Sequence, residues 1–105
     1  MHTIVEENMD LNSVKSLCTG LGEVAKFNEN TAVFGNVELE IITPNRKTRI
    51  YITSDRGELS CYVRKRGSFT KKMIPLDYIL NVTGKGESLT DLIDYLKSNI
   101  HEIEK

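Results

Sequence analysis

The sequence predicts an α+β fold: a two-layer sandwich in which an antiparallel meander of about five strands carries an N-terminal and a C-terminal helix on one face. Three observations predict it. Leu89, Leu92, Ile93, Leu96, Ile100 and Ile103 recur at spacings of three and four, the period of a helix with one apolar stripe. Leu11, Val14, Leu17, Cys18 and Leu21 repeat the pattern near the start. Between the two stripes, from Glu23 to the SFTKKMI run, apolar and polar residues alternate with a period of two in short runs broken by turn sequences. Two apolar helical stripes need a sheet face to bury against, which makes two layers.

At 105 residues the chain is read as one domain, 1–105, long enough for a single core without disulfides or a metal. The balance of 39% hydrophobic and 28% charged residues is that of a globular chain, neither disordered nor membrane-spanning. MHTIVEENMD has no basic n-region and no apolar h-region, and no apolar run approaches the ~20 residues that span a bilayer. A cytoplasmic protein with no membrane association is expected. Cys18 and Cys61 each sit in an apolar pattern, where a thiol behaves as a small buried hydrophobe, so two free thiols are expected.

Taken in order, residues 1–9 read equally as an acidic arm or a short edge strand. Asp10 is positioned to cap the first helix, and Gly20 and Gly22 to stop it. EVAKFN and TAVFG then flank Asn28-Glu29-Asn30, a turn sequence, and Gly35-Asn36 is a second turn before VELEIIT. In that strand Val37, Leu39 and Ile41 should face inward and Glu38, Glu40 and Ile42 outward. Pro75 opens either a helical turn or an extended run. Thr83-Gly84-Lys85-Gly86 is a loop, and Ser88 with Asp91 approximates a capping box for the last helix.

The stretch RKTRIYITSDRGELSCYVRKR, 46–66, is a β-hairpin signal, with Gly57 free to adopt the positive φ of a tight turn. Successive strand residues face opposite ways. Ile50, Ile52, Leu59, Cys61 and Val63 therefore share a core face, and Arg49, Tyr51, Thr53, Glu58, Ser60, Tyr62 and Arg64 the other. With the turn at Asp55-Arg56, Tyr51 and Tyr62 come close to opposite each other.

Charge singles out the same stretch. Residues 1–43 carry two lysines against seven acids, and residues 73–105 three lysines against six. Residues 44–72 carry nine Lys or Arg against Asp55 and Glu58, a local +7 in a chain of net −1. An asymmetry of this kind concerns electrostatic partners. Single-stranded nucleic acid is commonly held by a sheet whose aromatic side chains stack on bases while Lys and Arg meet phosphates. On that reading Tyr51 and Tyr62 stack, Arg49 and Arg64 take phosphates, and Arg46, Lys47, Lys65, Arg66, Lys71 and Lys72 widen the basic field. The same face also suits an acidic protein partner or a homodimer through the sheet, and it is compatible with an ordinary solvated strand face.

No catalytic signature accompanies it. Gly84-Lys85-Gly86-Glu87-Ser88 lacks the spacing of a phosphate loop, and Glu87 and Asp91 would repel a phosphate. His2 and His101 belong to no zinc-like cluster, so neither metal nor cofactor is expected. Arg64-Lys65-Arg66-Gly67-Ser68-Phe69 matches the pattern of a basic-directed kinase site, a match common by chance. The expectation is a non-enzymatic binding protein.

Overall fold

Alternation along the strands dictates one sheet with two unlike faces. A computed structural model describes residues 11–30, 36–55, 58–74 and 89–105. Helix α1 (Leu11–Leu17) is followed by β1 (Glu23–Asn30), β2 (Asn36–Ile42), β3 (Thr48–Asp55), β4 (Glu58–Lys65) and β5 (Lys72–Ile74), then by α2 (Leu89–Ser98) and α3 (Ile100–Ile103). The strands form one antiparallel sheet in chain order, β1-β2-β3-β4-β5. The α+β meander read from the sequence is the observed architecture.

The inner face is apolar because every second residue is. Leu39 and Ile41 of β2, Ile50 and Ile52 of β3, and Leu59, Cys61 and Val63 of β4 are all buried. Pairing sets Leu39 against Ile52, Ile41 against Ile50, Ile50 against Val63 and Ile52 against Cys61. Val14, Cys18 and Leu21 from the α1 region and Leu89, Leu92, Ile93 and Leu96 from α2 join them in one cluster, so both helices cover the same face. Burying each large aliphatic side chain contributes about 1.5–3 kcal/mol. This burial holds α1, which at seven residues would not persist alone. Both cysteines are free and buried.

Two glycines end α1. Gly20 takes a left-handed φ of 89°, and the backbone N–H groups of Leu21 and Gly22 both donate to the Cys18 carbonyl. At Gly22 any side chain would run into the carbonyl oxygen of Ile42, so the start of β1 reaches β2 only because glycine stands there.

Four details differ from the sequence reading. Asn28-Glu29-Asn30 is not a turn: β1 runs through it, pairing Asn28 with Glu38, Glu29 with Val37 and Asn30 with Asn36. A ladder partner outweighs the local turn preference of asparagine. The TAVF part of the TAVFG run and Gly35 lie outside the described residues, and Asn36 opens β2. Within β1 the register skips between Val24 and Lys26, and this bulge keeps Val24 and Phe27 inward while Lys26 and Asn28 face out. In the hairpin Asp55 pairs with Glu58, so Arg56-Gly57 is the link and Tyr51 lies directly opposite Tyr62.

The last helix is the fourth. It breaks at Asn99, where φ is −119° and ψ 20°. The Ser98 hydroxyl donates to the Asp94 carbonyl at 3.1 Å and Asn99 Nδ2 to the Tyr95 carbonyl at 2.9 Å. Side chains that bond back in this way compete with the helix ladder. Ile100 and Ile103 still pack on the core beyond the break.

Residues 1–10, the run from Pro75 to Ser88 with its expected loop and cap, and the turn glycine Gly57 lie outside the described residues. Among those described, no helix is long and apolar enough to cross a membrane.

Candidate polyanion-binding groove

The outer face of the sheet is built in rows that run across the strands. Register places Lys26, Glu40, Tyr51, Tyr62 and Met73 in one row, and Ile42, Arg49 and Arg64 in the next. The Tyr51 and Tyr62 rings are 4.8 Å apart between centroids and inclined by 13°. That separation matches the ~4.8 Å between neighbouring strands, so the rings stand face to face across the gap instead of lying on the sheet. Lys71, leading into β5 on the far side of β4, places Nζ 4.8 Å from the Tyr62 centroid. Each ring is thus the other's stacking partner, and Tyr62 is covered on both faces. The two tyrosines expected to stack on bases are instead stacked on each other.

Tyr51 also interacts with Glu40. Burial, then a hydrogen bond to the Glu40 carboxylate and its negative charge, push the phenol above its ordinary value, while Arg49 and Arg64 pull the other way. Two residues along each strand from the tyrosines, Arg49 and Arg64 are paired directly opposite each other. Like charges in that position repel. The repulsion is relieved by Glu40, whose Oε2 is 3.2 Å from Arg49 Nη1, and by the Ser68 carbonyl, which accepts from Arg64 Nη2 at 3.1 Å.

These arginines floor a groove of about 510 Å³, bordered by Ile42, Arg46, Lys47, Tyr51, Lys65, Arg66, Gly67, Ser68 and Phe69. Its walls come from two loops. Arg46, in the β2–β3 loop, has a left-handed φ of 64°, a conformation that costs a non-glycine residue ~1–2 kcal/mol. Asn45 Oδ1 accepts from the Lys47 N–H, the Glu104 carboxylate accepts from the Asn45 N–H at 2.6 Å, and Arg46 Nη1 reaches Glu23 at 2.9 Å. The opposite wall is the β4–β5 loop, turned back by Gly67 at φ 78° and by the Ser68 N–H donating to the Lys65 carbonyl. Among the described residues no carboxylate pairs with Lys47, Arg64 or Arg66.

Of the ten residues expected to bind, Arg46, Lys47, Arg49, Tyr51, Arg64 and Arg66 meet in this groove, and Lys71 sits beside it on Tyr62. Two do not extend the basic track. Lys65 borders the groove, but its Nζ donates to Thr48 Oγ1 at 2.9 Å and to the Ile103 carbonyl at 3.0 Å, on the helix side. Lys72 pairs with Val63, a core-facing residue, and lines a hollow with Tyr95 and Ile103 beside the helices. Strand parity explains both: they stand an even number of residues from Val63 or opposite it. Phe69, 92% exposed and bordering the groove, was not anticipated. The signal was present in the sequence as a single aromatic in a Gly-Ser-Thr run with no apolar neighbour at strand spacing.

The groups able to do other chemistry lie elsewhere. Burial pushes the Cys18 thiol up to about 11 and the Cys61 thiol up to about 12, away from thiolate reactivity. Among the described residues no three His, Cys, Asp or Glu side chains are grouped as a metal site. Comparison of the chain with family models, with curated proteins and with solved structures found no match.

Proposed function

We propose that the protein is a non-enzymatic nucleic-acid-binding protein that holds single-stranded DNA or RNA in the groove on the outer face of the 46–66 hairpin. The observation that carries this reading is the directly opposed Arg49–Arg64 pair, with Lys47, Arg66, Tyr51 and Phe69 lining the same groove. Glu40 and the Ser68 carbonyl offset the repulsion between Arg49 and Arg64, but each guanidinium has five N–H donors, more than these contacts use, and bidentate guanidinium–phosphate pairing is the strong form of anion contact. A floor of arginines with aromatic walls suits unpaired nucleotides, which offer a phosphate and a flat base together. An acidic protein surface offers the charge without the base.

Fluorescence anisotropy with labelled single-stranded DNA, single-stranded RNA and duplex DNA across a salt series tests the reading. Wild type is expected to prefer single strands, with log affinity falling linearly against log salt by about 0.7 per phosphate neutralised. The combined Arg49→Ala, Arg64→Ala variant should bind more weakly, with a slope shallower by about 1.4. No nucleic-acid binding at low salt would exclude this function and leave an acidic protein as the partner to seek.

A further inference from the structure

We infer that Phe69 is the base-stacking residue of the groove and that Tyr51 and Tyr62 serve as a structural pair stacked on each other. The inference rests on the nucleic-acid reading above and adds the residue that recognises the base. Three observations bear on it. Phe69 is 92% exposed, although a phenylalanine ring has no polar atom to present to water. It borders a groove whose other lining includes Arg46, Arg64 and Arg66. The backbone beneath it is held: Arg64 Nη2 donates to the Ser68 carbonyl, the Ser68 N–H to the Lys65 carbonyl, and the Thr70 N–H to Ser68 Oγ at 3.1 Å.

The chemistry of the occupant follows from what the ring and its surroundings lack. The tyrosines cannot both serve as platforms, since they occupy each other and Lys71 covers Tyr62. Phe69 offers a flat apolar face with neither donor nor acceptor, so it favours any base without reading its edge. Cations around it require that the flat partner carry negative charge of its own. An unpaired nucleotide meets both conditions. An anionic bilayer also combines charge with apolar depth, but membrane binding scales with the apolar area inserted, and Phe69 stands alone among Gly67, Ser68, Thr70 and Lys71.

The test uses the full chain as wild type, Phe69→Ala, Phe69→Trp and the Arg49→Ala, Arg64→Ala variant, each checked for its fold by circular dichroism. Anisotropy is measured with oligo-dT and with a backbone of equal length made of abasic sites, and flotation with vesicles of phosphatidylserine and phosphatidylcholine. Phe69→Ala is expected to weaken oligo-dT binding by about 5- to 150-fold, to leave the salt slope unchanged, and to have no effect on the abasic strand. Since the chain has no tryptophan, the indole of Phe69→Trp is a clean reporter, and oligo-dT should quench it while the abasic strand does not. If the arginine variant loses oligo-dT but Phe69→Ala does not, or loses the abasic strand equally, the stacking role is overturned and the nucleic-acid reading stands. If wild type binds no oligonucleotide, both are overturned. Phe69-dependent flotation in that case would assign the ring to a bilayer.

Discussion

Glu40 sets how much of the Arg49 charge is left unpaired in the groove. It lies between Lys26 and Tyr51 in its row, 3.2 Å from Arg49. It therefore competes with any incoming anion for that guanidinium. Glu40→Gln should tighten single-strand binding at low salt by about 3- to 10-fold, with the gain shrinking as salt rises. The same change removes two of the causes that hold the Tyr51 phenol up, leaving burial, so its titration should move down toward the ordinary tyrosine value. Phenolate absorbance, taken as a difference against Tyr51→Phe, reads that movement, and an unmoved curve would show that Glu40 does not act on Tyr51. At this scale the sequence was informative about direction and silent about contact. Parity assigned Arg49, Tyr51, Tyr62 and Arg64 to one face correctly. That the rings stack on each other depends on rotamers and on the register across Arg56-Gly57, which alternation does not encode.

The closing helices are tied to the sheet by a charge as well as by apolar packing. Lys65, at the end of β4, donates to Thr48 on β3 and to the Ile103 carbonyl at the end of α3. Hydrogen bonds to a charged group are worth about 1.5–3 kcal/mol, and their loss leaves acceptors without a partner. Lys65→Met should lower stability by about that much in urea unfolding while changing the oligonucleotide salt slope little. Lys47→Ala should do the reverse, with stability within about 0.5 kcal/mol of wild type and a slope shallower by about 0.7. Equal effects of the two would mean that Lys65 belongs to the binding surface after all. The elements themselves were largely legible, because stripes at three and four and alternation at two are direct consequences of helix and strand geometry. The extension of β1 through Asn28-Glu29-Asn30 was not, since β2 supplies the hydrogen bonds that make it a strand. Nor was the break at Asn99, which depends on two side chains bonding back to carbonyls.

Across the whole molecule, the two thiols make the core sensitive to alkali. Both are buried and raised, Cys18 to about 11 and Cys61 to about 12, whereas in the unfolded chain a thiol ionises near 9. Their contribution is fully present below about pH 9. It is lost as pH rises from there through about 11 to 12, because the unfolded state ionises first. The urea midpoint should fall between pH 8.5 and 10.5 in wild type, and by less in a Cys18→Ala, Cys61→Ala variant; an equal fall in both would exonerate the thiols. The basic character of residues 44–72 was also visible in the sequence, but its partition was not. Lys65 and Lys72 turn to the helices, and Arg46 and Arg49 meet Glu23 and Glu40 from the acidic first segment.

The order of the sheet has a kinetic consequence. Each strand pairs with the one made just before it, so no strand waits for a distant segment and every loop to be closed is short. On a ribosome β2 can zip onto β1, and β3 onto β2, while the chain is still being made. What these early hairpins have is part of a lid: α1 precedes them and packs on the same apolar face, but Leu89, Leu92, Ile93 and Leu96 join it only when α2 emerges. α2, made after the whole sheet, is thus the element that turns a growing ribbon into a folded protein.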